Sequence, residues 1–205
     1  MYGPEETAAF LAFTAGTRLE AAWHLTLKRG VRRGELGLKW DDVDLDSGHL
    51  RVRRTRLEYG GKVSEDTPKS KASARVVSLD AETVRVLREH RRRQAGERLA
   101  AGSAYEAGDW VFTDEVGRPY RPDLISRRFK QAARDAGLPT IRLHDARHTA
   151  ATLALEAGID IKVVSEQLGH STTQITADIY QHVRRVKADD AAERVAALLA
   201  MGRPA

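Results

Sequence analysis

The sequence predicts a mainly α-helical fold with a small antiparallel β-sheet, in a single domain over 1–205. Three observations carry this. Most of the chain spaces its apolar residues at helical intervals, in stretches that start at Asp or Pro and stop at Gly. Only a few short stretches alternate apolar and charged residues as strands do. No repeat, low-complexity tract or linker divides the 205 residues, a length that supports one substantial core.

The elements follow in order. Pro4-Glu5-Glu6 opens a first helix, since proline is tolerated where no amide partner is needed and acids suit the positive end of the helix dipole. Phe10, Leu11 and Phe13 supply its apolar surface. A second helix is expected from Thr17 to Lys28, followed by a basic turn from Arg29 into a short helical piece that stops before Trp40-Asp41-Asp42; Gly30 and Gly34 limit its regularity. His49 to Thr55 and Ala74 to Leu79 read as strands, separated by a turn at Tyr59-Gly60-Gly61-Lys62 and a basic loop, Thr67-Pro68-Lys69-Ser70-Lys71. Asp80 caps a helix reaching about Arg98, with Val84 and Leu87 on one side and Arg85, Arg88 and Arg92 on a solvated face. Trp110 to Thr113 is expected to be a short strand, and Pro122 starts a helix that Gly137 ends. The remainder reads as helices: His144 to Ala157, one capped by Asp160 with Ile161, Val164 and Leu168 on its stripe, Thr172 to His182, and Ala188 to Leu199. Trp23, Trp40 and Trp110 are expected in the core.

Composition narrows the chemistry. Thirty-four Lys and Arg against 29 Asp and Glu give a formal charge of +5, a mild preference for polyanions. The absence of cysteine excludes disulfides, thiolate metal sites and cysteine nucleophiles, and it suits a cytoplasmic location. No apolar run approaches the roughly 18 residues of a membrane span.

The residues with most chemical content are His144-Asp145-Ala146-Arg147-His148-Thr149, Leu168-Gly169-His170-Ser171, and Tyr180 ten residues beyond His170. Cleaving a phosphodiester requires an attacking group, cations on the oxygens where charge builds up, and an acid for the departing oxygen. Arg32 and Arg147 suit the cationic clamp, because a guanidinium bonds phosphate in bidentate fashion. His144 and His170 can donate to the same oxygens or move protons. Lys69 can serve the leaving oxygen, and Tyr180 can attack phosphorus.

These segments resemble the tyrosine recombinases, or phage integrases, over nearly the whole chain. Arg29 to Leu36 followed by Trp40-Asp41-Asp42-Val43-Asp44-Leu45 is similar to the family's first box, with Arg32 as its arginine; Lys69-Ser70-Lys71-Ala72-Ser73-Ala74-Arg75 is similar to its basic hairpin segment, which favours Lys69 over Lys71. The His-x-x-Arg box matches His144 and Arg147, the next box matches His170, and spacing then places the nucleophile at Tyr180. The resemblance implies a tyrosine recombinase catalytic-domain fold and six catalytic residues, Arg32, Lys69, His144, Arg147, His170 and Tyr180. It implies attack by Tyr180 on DNA to form a 3′-phosphotyrosyl link and free a 5′-hydroxyl, without metal, ATP or any cofactor. Implied partners are double-stranded DNA and further protomers in a tetrameric synapse; a membrane is not among them. The last helix, with Ala191, Val195, Leu198 and Leu199 on its stripe, is expected either to dock onto a neighbouring protomer or to fold back onto its own core. Family members usually carry an N-terminal DNA-clamping domain for which there is no room before the first box, so the expectation is the catalytic domain alone.

Two positions depart from the family pattern. Arg29 stands where Thr or Ser is usual, and one residue fewer separates Glu35 from Trp40, a change that would turn a helix by about 100°. A DNA-binding protein without cleavage is therefore the alternative to the enzyme. His144 and His148 are also spaced as an i, i+4 zinc pair, but Asp replaces the general-base Glu and Arg147 would oppose a metal. Glu35 is expected either to brace an arginine or to lie exposed, and His24, His49, His90 and His182 to be surface or packing residues.

Overall fold

The computed structural model describes residues 1–66, 74–170 and 172–178. Six α-helices are α1 (Pro4–Phe13), α2 (Glu20–Arg29), α3 (Ala81–Ala101), α4 (Pro122–Asp135), α5 (Leu143–Glu156) and α6 (Ile161–Leu168), and residues 173–178 are also helical. The strands are β1 (Val43–Asp44), β2 (His49–Val52), β3 (Thr55–Tyr59), β4 (Lys62–Asp66) and β5 (Arg75–Ser78). They form an antiparallel three-stranded sheet in the order β1-β2-β5, with Leu50 opposite Val77, and a separate hairpin of β3 and β4. The mainly helical class with small antiparallel sheets is thus present.

Caps explain where the helices start and stop. Asp80 accepts from the Thr83 amide ahead of α3, and Asp160 accepts from the Lys162 amide ahead of α6. Helix α2 ends at Gly30 with φ +66°, and α6 ends at Gly169 with φ +65°, left-handed positions where a side chain is strained. The core joins α1, α2, α4 and α5 around Phe10, Trp23 and Phe129, whose rings pack 4.9–6.2 Å apart, while Tyr2 bonds the Pro139 carbonyl with its hydroxyl.

Three expectations need correction. Trp110 to Thr113 is not a strand: it makes isolated bridges, Lys39 with Trp110 and Thr113 with Pro119, because its partners are single residues of loops. Trp40 and Trp110 are only half-buried, with Lys39 and Arg56 stacked on Trp110 and Arg91 on Trp40, whereas Trp23 is buried. The β3–β4 hairpin was signalled only by its turn. Gly60 and Gly61 both have positive φ, as such a turn requires, but the charged strands TRLEY and KVSED show no apolar face, and Arg121 secures them from α4's start by bonding Glu58 and the Gly61 carbonyl.

Arg85, Arg88 and Arg92 of α3 have side chains 52–77% exposed, so they form the expected solvated face. On the opposite side of that helix His90 is buried. Its Nε2–H donates to the Val111 carbonyl at 2.6 Å, and its Nδ1 accepts from Arg93 at 3.0 Å, a pairing that requires the neutral ring. Burial pushes its pKa down, the Val111 carbonyl opposes this and the Arg93 charge adds to it, leaving it at about 4. A folded pKa below that of the unfolded chain stabilises fully above the unfolded value, near 6.5, and this contribution is lost as pH falls towards 4. We therefore expect His90 to account for about 3 kcal/mol of acid destabilisation between pH 7 and 4. Denaturant titrations at several pH values test this against His90→Gln, and parallel profiles for the two proteins would refute it.

Candidate nucleic-acid cleavage site

Three arginines from distant segments meet at the C-terminal end of α6. Arg32 follows the Gly30 cap of α2 and precedes a 3₁₀ turn, Arg33–Leu36. Its guanidinium donates to Glu35 at 2.6 Å and to the Gly169 carbonyl at 2.8 Å, and its amide donates to the other Glu35 oxygen at 2.8 Å. Arg147, in the first turns of α5, is buried and donates to the Gly30 carbonyl at 2.6 Å and to the Leu168 carbonyl at 2.5 Å. Arg75, at the start of β5, donates through Nε to the Gln167 carbonyl at 2.6 Å. The consecutive carbonyls 167, 168 and 169 each take a different guanidinium. These are the carbonyls a helix end leaves without intrahelical partners, at the negative end of its dipole.

His170 leaves this turn directly. Its amide bonds the Ser165 carbonyl at 3.0 Å, and its Nδ1 pairs with the buried Thr176 hydroxyl at 2.8 Å, which leaves Nε2 as the nitrogen able to meet a ligand. Burial and the charges of Arg147 and Arg32 push the His170 imidazole down to about 4, so it is neutral at physiological pH. His144 is exposed in the first turn of α5, its ring 4.8 Å from that of His148; partial desolvation and the Arg147 charge lower it as well. Burial first, then Arg32, bring the Arg147 guanidinium down to about 9, where it stays charged at neutral pH.

Glu35 is buried and braces arginines, which resolves its two expected readings. Burial raises its carboxyl, but the bonds and charges of Arg75 and Arg32 outweigh this and hold it below the ordinary carboxylate range. The short link to Trp40 does not turn Arg32 away. Segment 33–36 winds as a 3₁₀ turn, and Gly34 and Gly37 let it lie close on β3, where an added Cβ would meet Thr55 at 2.6 Å and Arg56 at 2.5 Å respectively.

Of the six expected residues, the structure therefore brings Arg32, Arg147 and His170 together, with His144 on the same α5 turn as Arg147. Lys69 and Tyr180 lie outside the described residues. Sequence reasoning did not single out Arg75, Thr176 or Gly30; Arg75 was visible only as the last residue of the basic hairpin motif. Among the described residues, no group of three His, Asp or Glu side chains is placed to hold a metal, and no helix is long and apolar enough to cross a membrane.

The family model described as the phage integrase family matches residues 4–186. The chain is 40% identical over 196 residues to a "Tyrosine recombinase XerC-like" protein of Caldanaerobacter subterraneus subsp. tengcongensis, covering 89% of this chain and 50% of that one. It is 30% identical over 201 residues to the ICEBs1 integrase of Bacillus subtilis, covering 96% and 54%. The chain thus spans about half the length of these curated relatives. Among solved structures, the Tn1549 transposon integrase in complex with transposon right end DNA superposes with TM-score 0.79 at 23% identity, over 95% of this chain and 65% of that one. The XerA recombinase gives 0.72 at 25% identity, over 92% and 64%. With the family model matched over most of its length and its fold shared with recombinases, the chain belongs to the phage integrase family.

Proposed function

We propose that this chain is the catalytic domain of a site-specific DNA recombinase that cuts and rejoins DNA through a tyrosine. The observation that carries the proposal is the convergence of Arg32, Arg147 and His170 on the last turn of α6. Each guanidinium uses N–H groups on protein oxygens, which fixes its plane, and its remaining N–H groups can receive the non-bridging oxygens of one phosphate. Tyr180 first loses its phenolic proton to solvent, the surrounding cations stabilising the phenolate; the phenolate attacks phosphorus, the bond to the 5′ oxygen breaks, and Lys69 gives that oxygen its proton. His144 and His170 donate to the phosphate, and attack by a 5′-hydroxyl from a partner strand reverses the step and releases the tyrosine. The bond energy stays in the phosphotyrosyl ester, so the proposed cycle draws on neither ATP nor metal.

Double-stranded DNA is the proposed partner, and the exposed positions Arg127, Lys130 and Arg134, which share one face of α4, add cationic surface for its backbone. Further protomers, up to a tetrameric synapse, and a cytoplasmic setting belong to the same proposal.

A nicked suicide duplex, in which the cut fragment diffuses away, tests it. The protein is expected to form an adduct that survives denaturing electrophoresis, and Tyr180→Phe is expected to form none. Binding without any adduct, on DNA from the protein's own genomic neighbourhood, would favour the alternative of a DNA-binding protein that does not cleave.

A further inference from the structure

The side chain of Arg75 is 6% exposed, yet it touches both halves of the site. Its guanidinium donates to the two Glu35 oxygens, each at 2.9 Å, and its Nε donates to the Gln167 carbonyl. Glu35 is therefore a buried carboxylate between two guanidiniums. One belongs to Arg32, 35% exposed, and the other to Arg75, which lies behind it. A carboxylate paired with Arg32 alone would form a neutral couple. A second buried cation restores one net positive charge to the trio, and low local dielectric makes that difference large.

Geometry adds a second effect. Arg75 opens β5, where it pairs with Val52, and it follows Lys69 by six residues. Holding Gln167 attaches the sheet to the last turn of α6, the turn whose next carbonyls hold Arg147 and Arg32 and whose next side chain is His170. We propose that Arg75 is a positioning residue of this site: from behind Glu35 it supplies the counter-charge that leaves Arg32 free to act on a phosphate, and through Gln167 it fixes the turn that presents His170. The proposal rests on the strand-transfer reading above. A purely structural ion pair would stabilise the fold without setting the charge seen by a phosphate, so the two roles separate by experiment.

The test uses the full chain with Arg75→Met, Glu35→Gln, the double variant and Arg75→Lys. Three quantities are read: the single-turnover rate of adduct formation at saturating protein, the Kd for the same nicked duplex, and the titration midpoint of His170 by NMR. Arg75→Met is expected to slow adduct formation by about 10- to 100-fold with little change in Kd, the usual cost of removing a group that orients a contact residue. It should also raise the His170 midpoint, since a neighbouring positive charge is gone. Adding Glu35→Gln should recover the part of the lost rate that is due to charge, because no buried carboxylate then draws on Arg32, while the part due to the lost hold on Gln167 stays lost. A double variant no faster than Arg75→Met, or Arg75→Met with parental rate and midpoint, overturns the proposal. Should Arg75→Met not fold, Arg75→Lys decides: an ammonium cannot span Glu35 and Gln167 together, so about a tenfold slower rate supports the proposal and a parental rate overturns it. If the parent protein forms no adduct, the strand-transfer reading fails by itself, and the His170 midpoints still decide whether Arg75 acts on the site.

Discussion

Replacing Arg147 by lysine is expected to lower the rate of covalent adduct formation by about 10³-fold, the range seen when a donor to a developing oxyanion is lost. The guanidinium is buried, and its NH1 and NH2 hold the Gly30 and Leu168 carbonyls 2.6 and 2.5 Å away. Only a planar fork can satisfy two carbonyls and still direct further N–H groups at a phosphate. A lysine ammonium keeps the charge, but on one carbonyl it abandons the other, and it presents a point charge instead of a paired donor. With charge retained, DNA affinity should change far less than rate. Quench-flow on the nicked duplex with a parallel binding titration measures both, and a lysine variant cleaving near the parental rate would remove Arg147 from the proposed mechanism. Arg147→Ala should additionally cost about 3 kcal/mol of stability, since two buried carbonyls lose their donor and a cavity remains.

Gly30→Ala is expected to be the most destabilising single-methyl change at the site, at about 2 to 4 kcal/mol from left-handed strain and overpacking together. Gly30 has φ +66°, and its added Cβ would lie 2.2 Å from a Leu168 methyl, 3.5 Å from Ala150 and 3.6 Å from Arg147. Leu168 is almost wholly buried, so it has little room to yield. The missing side chain at position 30 is what lets the end of α6 close on the end of α2, and that closure brings His170 to Arg32. Gly16→Ala is the control: φ there is +74°, but no atom lies within 4 Å of the added Cβ, so only the backbone cost of about 1 kcal/mol should appear. Chemical denaturation of both variants compares them directly, and equal losses would show that packing against Leu168 contributes nothing. Gly30→Ala should also slow adduct formation, because displacing Leu168 displaces its carbonyl from Arg147.

What the sequence by itself determined was local. Asp80 and Asp160 each place an oxygen where a helix start has bare amides, and Gly169 can turn left-handed where others are strained, so these boundaries were legible in a few consecutive residues. The order and spacing of Arg32, His144, Arg147 and His170 were legible for the same reason, as side chains identified by type. Only the tertiary structure decided how they are held. Glu35 could be placed inside or outside until β5 supplied Arg75 to bury it against. The acceptors that gather the three arginines at the end of α6 are main-chain carbonyls, which every residue carries and which no side-chain pattern marks. The bonds to residues 167, 168 and 169 join positions 92, 21 and 137 apart in the chain. Such pairings exist only once α2, α5, α6 and β5 have packed, so the chemical groups of the site belong to the sequence, and their convergence belongs to the fold.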